Sequence, residues 1–197
     1  TLTREWLPQV DDNPQFVFFG RTFEPWLKEK LQKNTPMNQI VREMLVTTPG
    51  RNFAQTPQQV FFVVNESKPE NVAAAVGRLF LGVKIDCAQC HPHPFASIKR
   101  EQFWETAAFF KDVAPNNTRF AKTNPPEIKI TDTEKTVKAK FFDGSTYEWA
   151  ATDSPREVFA NWLLSPKNPY FAKNMANRFW AYFMGRGVQH PVDEPSE

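Results

Sequence analysis

A mainly α fold with one small β-hairpin element between helical segments is predicted by three observations. Apolar residues recur at i, i+3 and i+4 in stretch after stretch. Proline opens and glycine closes several of these stretches, which is the asymmetry helices favour. Only one region, Ile128 to Trp149, alternates with the period of two that marks strands. The chain has 197 residues, 41% hydrophobic and 23% charged. That suffices for a core without disulfide or metal staples and excludes a disordered chain. Phenylalanine (19) and proline (17) are abundant and glycine (7) is scarce, so aromatic anchors and stiff connectors are expected.

Each element has its own reason. Phe16–Gly20 is a short apolar run, expected as a strand or a buried turn. A helix is expected over Glu24–Lys33, with Trp26, Leu27 and Leu31 on one face, broken by Asn34-Thr35-Pro36. The next covers Pro36–Thr47, where Met37, Ile40, Val41, Met44 and Leu45 share helical spacing behind a first-position proline. Residues 48–57 read as a loop around Pro49-Gly50. Val60–Val64 fits a strand or an apolar helical turn equally well. Pro69–Leu81 reads as a helix capped by Asn65 or Ser67 and ended by Gly82, with Val72, Ala75, Val76, Leu79 and Phe80 aligned. Lys99–Lys111 is another, with Phe103, Trp104, Ala107 and Phe110 inward.

Residues 116–126 form a polar connector. Beyond it Ile128–Ile130 and Val137–Phe141 alternate, and Asp143-Gly144 is a hairpin signal ahead of Thr146–Trp149. Ser154-Pro155-Arg156-Glu157 has capping-box form and opens a helix carrying Val158, Phe159, Trp162 and Leu163. Asn168-Pro169 starts a last helix through Met184, stopped by Gly185. The expected organisation is a helical domain over 1–115, a linker with hairpin over 116–150, and the helical start of a partner domain over 151–197.

The net charge of +2, from 24 basic and 22 acidic residues, gives no reason to expect nucleic-acid binding. No apolar run reaches the roughly 18 residues of a membrane span. No phosphate-cradling glycine loop and no Gly-x-Ser-x-Gly turn is present. Chemistry concentrates in one place. Both cysteines and two of the three histidines lie in Cys87-Ala88-Gln89-Cys90-His91-Pro92-His93. Cys-x-x-Cys-His is the attachment pattern of c-type haem. Its two thiols add across the two vinyl groups of a porphyrin, and the adjacent histidine places a ring nitrogen under the iron. Cys87, Cys90 and His91 are therefore the candidate haem c residues, with His91 the iron ligand. His93, two residues on, suits a supporting role beside the ligand. His190, remote in sequence, is the candidate sixth ligand, with Met37, Met44, Met175 and Met184 expected mainly as core filler. Phe80, Phe95, Phe103 and Trp104 are expected as apolar wall, from packing alone or around a haem. Arg78, Lys84, Lys99 and Arg100 are solvated surface by default and propionate partners otherwise. Asp11-Asp12 and Asp193-Glu194 read as solvated, and Asn177-Arg178-Phe179-Trp180 as core with a salt bridge. Two other readings fit the same motif: a zinc site completed by His91 or His93 and a distant residue, and a disulfide or redox pair.

The motif and its flanks resemble a known family. Arg78-Leu79-Phe80-Leu81-Gly82-Val83, the Cys87–His91 motif, His93-Pro94-Phe95 and Phe103-Trp104 with Ala107–Phe110 look like the core of the planctomycete-type cytochrome c domain, the PSCyt class. The segment from Trp26 to Leu45 fits the same domain. Ser154–Glu157, Asn161-Trp162-Leu163, Asn168–Ala172, Asn177–Trp180, Gly185–Val188 and His190–Asp193 resemble the PSD class that follows it. The resemblance implies a periplasmic or secreted bacterial protein of larger size, of which this chain is a middle piece. It carries over Cys87 and Cys90 as thioether positions and His91 as proximal ligand, and leaves His93 and His190 without assigned roles. It supplies no substrate.

The leading expectation is thus an extracytoplasmic c-type haem protein that transfers electrons to a redox partner protein and sits among other domains or chains. A haem enzyme with an open sixth site, and a zinc or disulfide module built on Cys87, Cys90, His91 and His93, are the alternatives.

Overall fold

The computed structural model describes residues 2–8, 14–48, 56–113 and 125–194. It is mainly helical with one two-stranded antiparallel hairpin, as the apolar spacing predicts. None of the described helices is long and apolar enough to cross a membrane. The chain divides into two compact units, Thr1–Ser67 and Lys68–Glu197.

The first unit holds α1 (Leu2–Trp6), α2 (Pro14–Gln32), α3 (Met37–Val46) and α4 (Val60–Val64), the last entered through a 3-10 turn at Pro57–Gln59. Phe23, Leu27, Ile40, Val41, Met44, Leu45 and the Val60–Phe62 run are buried together. The Phe16–Gly20 run is neither strand nor buried turn. It lies inside α2, with Val17 and Phe18 exposed. The helix passes through Pro25 and starts at Pro14, ten residues ahead of the expected Glu24. Leu31, expected on the inner face, is also exposed. An ion pair of Lys30 with Glu43 at 2.6 Å joins α2 to α3. Val60–Val64 resolves as a helical turn, and the Asn65 side chain closes it by donating to the Phe61 carbonyl. Asn65 therefore does not cap the next helix, and neither does Ser67. Lys68 takes that position, with Pro69 behind it.

The second unit carries the motif. Helix α5 (Pro69–Val76) runs into one wide π turn, Gly77–Leu81, before Gly82 stops it in the left-handed region at φ 72°. A Cβ at Gly77 would lie 2.6 Å from Ile85 Cγ1, so the missing side chain lets the following turn pack against the helix. Helix α6 (Arg100–Ala108) packs on α5 and buries Phe103, Trp104 and Ala107. Strands β1 (Glu127–Lys129) and β2 (Thr136–Lys138) pair antiparallel, Ile128 opposite Val137, and lie against α6.

The hairpin turn is not at Asp143-Gly144. It is at Thr131–Lys135, where the Ile130 amide donates to the Lys135 carbonyl and the Thr133 hydroxyl to the Ile130 carbonyl. Thr146–Trp149 is not a strand, because its neighbourhood is committed to aromatic packing. Phe141 stacks between Phe109 and Trp162, centroids 5.1 and 4.9 Å away. Asp143 instead closes a separate loop, accepting from the Ser145 amide and from Trp162 Nε1. Burial works to raise the Asp143 carboxyl, but these hydrogen bonds hold it below its ordinary value.

Helix α7 (Pro155–Leu163) starts where expected, but Ser154 makes no side-chain cap bond; Pro155 fixes the first turn. Arg156 Nε lies 3.0 Å from both Asp112 oxygens and ties α7 to the turn after α6. Helix α8 (Phe171–Met184) begins two residues later than Pro169, because Asn168 Oδ1 accepts from the Tyr170 and Phe171 amides ahead of it. Most of the 116–126 connector, most of the 48–57 loop and Asp11-Asp12 lie outside the described residues.

Two outcomes follow. Gly82→Ala places a side chain in left-handed backbone and 2.8 Å from Asn174 Oδ1, so it is expected to cost at least about 1–2 kcal/mol. A thermal melt should show a melting temperature several degrees lower. Burial lifts the Glu105 carboxyl above its ordinary value, against the pull of Lys140. A raised folded-state value gives stability that is complete below the unfolded value and lost as pH rises through the folded one. Glu105→Gln should therefore flatten the fall in stability as pH rises above the ordinary carboxyl range, about 4.3, read by denaturant titration.

Candidate functional site

A 3-10 turn spanning Ile85–Gln89 follows Gly82 after two residues and carries the start of the motif, with Cys90 at its end. Ile85 and Ala88 are buried, so the spacing of the turn leaves Cys87 and Cys90 on the outer side. Both cysteines are free and exposed. The turn is held at one atom. The Gln89 carbonyl oxygen accepts from Trp104 Nε1 and from Arg100 Nε, each at 3.0 Å. Arg100 is further fixed by donating to the Thr131 carbonyl at 2.7 Å. Its guanidinium thus serves the turn as a bridge between α6 and the hairpin.

The two motif histidines are prepared differently. His91, exposed, has Nδ1 2.7 Å from the Pro92 carbonyl oxygen. A carbonyl only accepts, so Nδ1 carries a proton and donates, which in the neutral ring leaves the Nε2 lone pair free. His93 Nδ1 accepts from the Phe95 amide at 3.1 Å, so in the neutral ring Nε2 carries the proton. His93 is half-buried, and its own amide donates to the Ile98 carbonyl at 2.9 Å, closing the loop after the motif. Of the two, His91 is the one with a ligand atom ready.

The surroundings depart from the expected wall. Phe80, Phe103 and Trp104 are core residues, 0–2% exposed, whereas Phe95 is 86% exposed. Lys84 is paired: its amide donates to the Asp193 carbonyl at 2.8 Å and its Nζ lies 3.7 Å from Asp193 Oδ1. Asp193 is correspondingly not a solvated loop carboxylate, since Arg178 Nη2 lies 3.8 Å from its other oxygen. Arg178 fulfils the core-plus-ion-pair reading, while Trp180 is half exposed. Met44 and Met175 are core, Met184 is exposed, and Met37 is partly covered.

Residues that sequence reading passed over make this neighbourhood. Asn174 Nδ2 donates to the Leu79 carbonyl at 2.6 Å, and Arg178 Nη2 to the Arg78 carbonyl. These are carbonyls of the π turn that follows α5, where the end of a helix needs acceptors satisfied from outside. Asn174 and Arg178 stand four apart on one face of α8, a spacing that a search for chain-distant caps would have found. His190 is exposed at the far end of the Asp193 segment. Among the described residues no three His, Cys, Asp or Glu side chains converge as a metal-holding group.

The donor set itself suits haem c: two free thiols three residues apart and an adjacent imidazole whose neutral ring keeps Nε2 as an acceptor. A mainly helical unit with such a turn is the class of protein that fold and site define. The chain belongs to the PSCyt2 family, "Protein of unknown function (DUF1549)", whose family model matches residues 11–115, just over half of it. Residues 155–195 match the PSD1 model, "Protein of unknown function (DUF1553)", over part of that domain. No curated protein and no solved structure matches.

Trp104→Phe removes one of the two donors to the Gln89 carbonyl. It should cost about 1 kcal/mol. Faster amide hydrogen exchange over residues 85–91, with the rest of α6 unchanged, is the expected signature.

Proposed function

We propose that this chain is an extracytoplasmic c-type haem protein that passes single electrons to a partner protein, with haem joined at Cys87 and Cys90. The observation that carries the reading is the state of three neighbouring side chains: two free, exposed thiols on one side of a fixed turn, and His91 with Nε2 free. Each thiol forms one carbon–sulfur bond to a vinyl group, its proton passing to the other vinyl carbon. Exposure makes both sulfurs reachable by attachment machinery. Haem c, when bound, supplies the one-electron couple of its iron.

The chain's own residues do the rest. The Pro92 carbonyl holds His91 Nδ1–H, orients the ring and raises the basicity of Nε2. The Gln89 anchor keeps the backbone between the two sulfurs from shifting. His93, its Nδ1 engaged by the Phe95 amide, stays a supporting residue. His190 is the sixth-ligand residue of this reading on sequence grounds.

The test uses protein from a host that attaches haem c, denatured in alkaline pyridine and reduced. The expected α-band is that of a haem with two thioether links, moved to longer wavelength in Cys90→Ala, which keeps one vinyl group. Absence of any haem band would overturn the reading, and metal analysis with thiol titration would then divide zinc from disulfide.

A further inference from the structure

Helix α8 carries more apolar surface than its own unit uses. At 100° per residue, Phe171, Met175 and Arg178 form its inner stripe, each under 10% exposed. Ala176, Trp180, Phe183 and Met184 stand at i, i+4, i+7 and i+8 on the opposite side. Trp180, Phe183 and Met184 are 50%, 74% and 64% exposed, and Val188, just past the helix, is 80% exposed. A helix apolar on two opposite faces is an element packed from both sides. Large apolar residues gathered this way mark an interaction surface. The setting is cationic: Lys173 and Arg186 are exposed, and the sequence has no carboxylate between Glu157 and Asp193.

We propose that the outer face of α8 seats the remainder of the PSD1 domain, through an apolar surface edged with acidic residues. The whole patch lies within residues 155–195, which match PSD1 over part of that domain. The patch is therefore domain interior whose other half lies in the rest of PSD1. A second copy of this chain is the poorer occupant, because a two-fold contact sets each copy's cationic rim against the other's.

Hydroxyl-radical footprinting of the full-length protein tests this. Trp180, Phe183 and Met184 should label several-fold more slowly in the native protein than in urea, whereas Phe18, 65% exposed in the first unit, should label almost equally in both. Phe183→Asp should raise native labelling of Trp180 and Met184 several-fold while Phe80 and Trp104 stay protected, which separates an opened interface from unfolding. Native labelling of the α8 residues at the rate of Phe18 would overturn the proposal. So would protection that disappears on dilution, which marks a second copy, or protection indifferent to Phe183→Asp.

Discussion

The carbonyl oxygen of Gln89 governs the geometry of the motif. Two donors from α6, an indole and a guanidinium, converge on this one acceptor. A single neutral hydrogen bond contributes about 1 kcal/mol, and one from a charged donor contributes about 1.5–3 kcal/mol. Together they offset part of the cost of ordering the turn, about 1–2 kcal/mol per residue, and burial of Ile85 and Ala88 adds to them. With Gln89 fixed and Ile85 seated against Gly77, the turn has one way to face: Ala88 goes in, and Cys87 and Cys90 go out. The chemistry of the site is a consequence of what the backbone beneath it is tied to.

A second tie acts from the other end of the unit. The π turn that follows α5 leaves carbonyls that the helix does not use, and α8 supplies Asn174 and Arg178 to them. Arg178 also faces Asp193, whose backbone accepts from the amide of Lys84, two residues past Gly82. The residues matched by PSD1 thus finish the helix that leads into the PSCyt2 motif. This explains why α8 buries an asparagine and an arginine where a helix of its length would ordinarily bury aliphatics.

Much of this was legible in the sequence. Helical spacing located α3, α5, α6 and α7, and the glycine stops at Gly82 and Gly185 are both left-handed, as a C-cap requires. The motif could be read because Cys-x-x-Cys-His is a local pattern. What escaped was non-local. Phe16–Gly20 looks like a strand because its apolar run is uninterrupted, yet it winds into α2. Asp143-Gly144 has ideal hairpin chemistry, but Phe141 was claimed by Trp162 and Phe109, and the strand partner lay earlier. The anchoring of Gln89 through its backbone leaves no mark on residue identity. The different protonation of His91 and His93 depends on whether Nδ1 meets a carbonyl or an amide, which spacing does not reveal.

In the proposed function the anchored turn presents two thiols and one imidazole nitrogen to a single haem. Intact-mass spectrometry of the protein from haem-attaching cells, after acid extraction of loosely held porphyrin, tests it most directly. The expected result is a mass increased by one haem, and no increase when Cys87 and Cys90 are both alanine. An unmodified mass, or one lowered by two hydrogens for a Cys87–Cys90 disulfide, would contradict it.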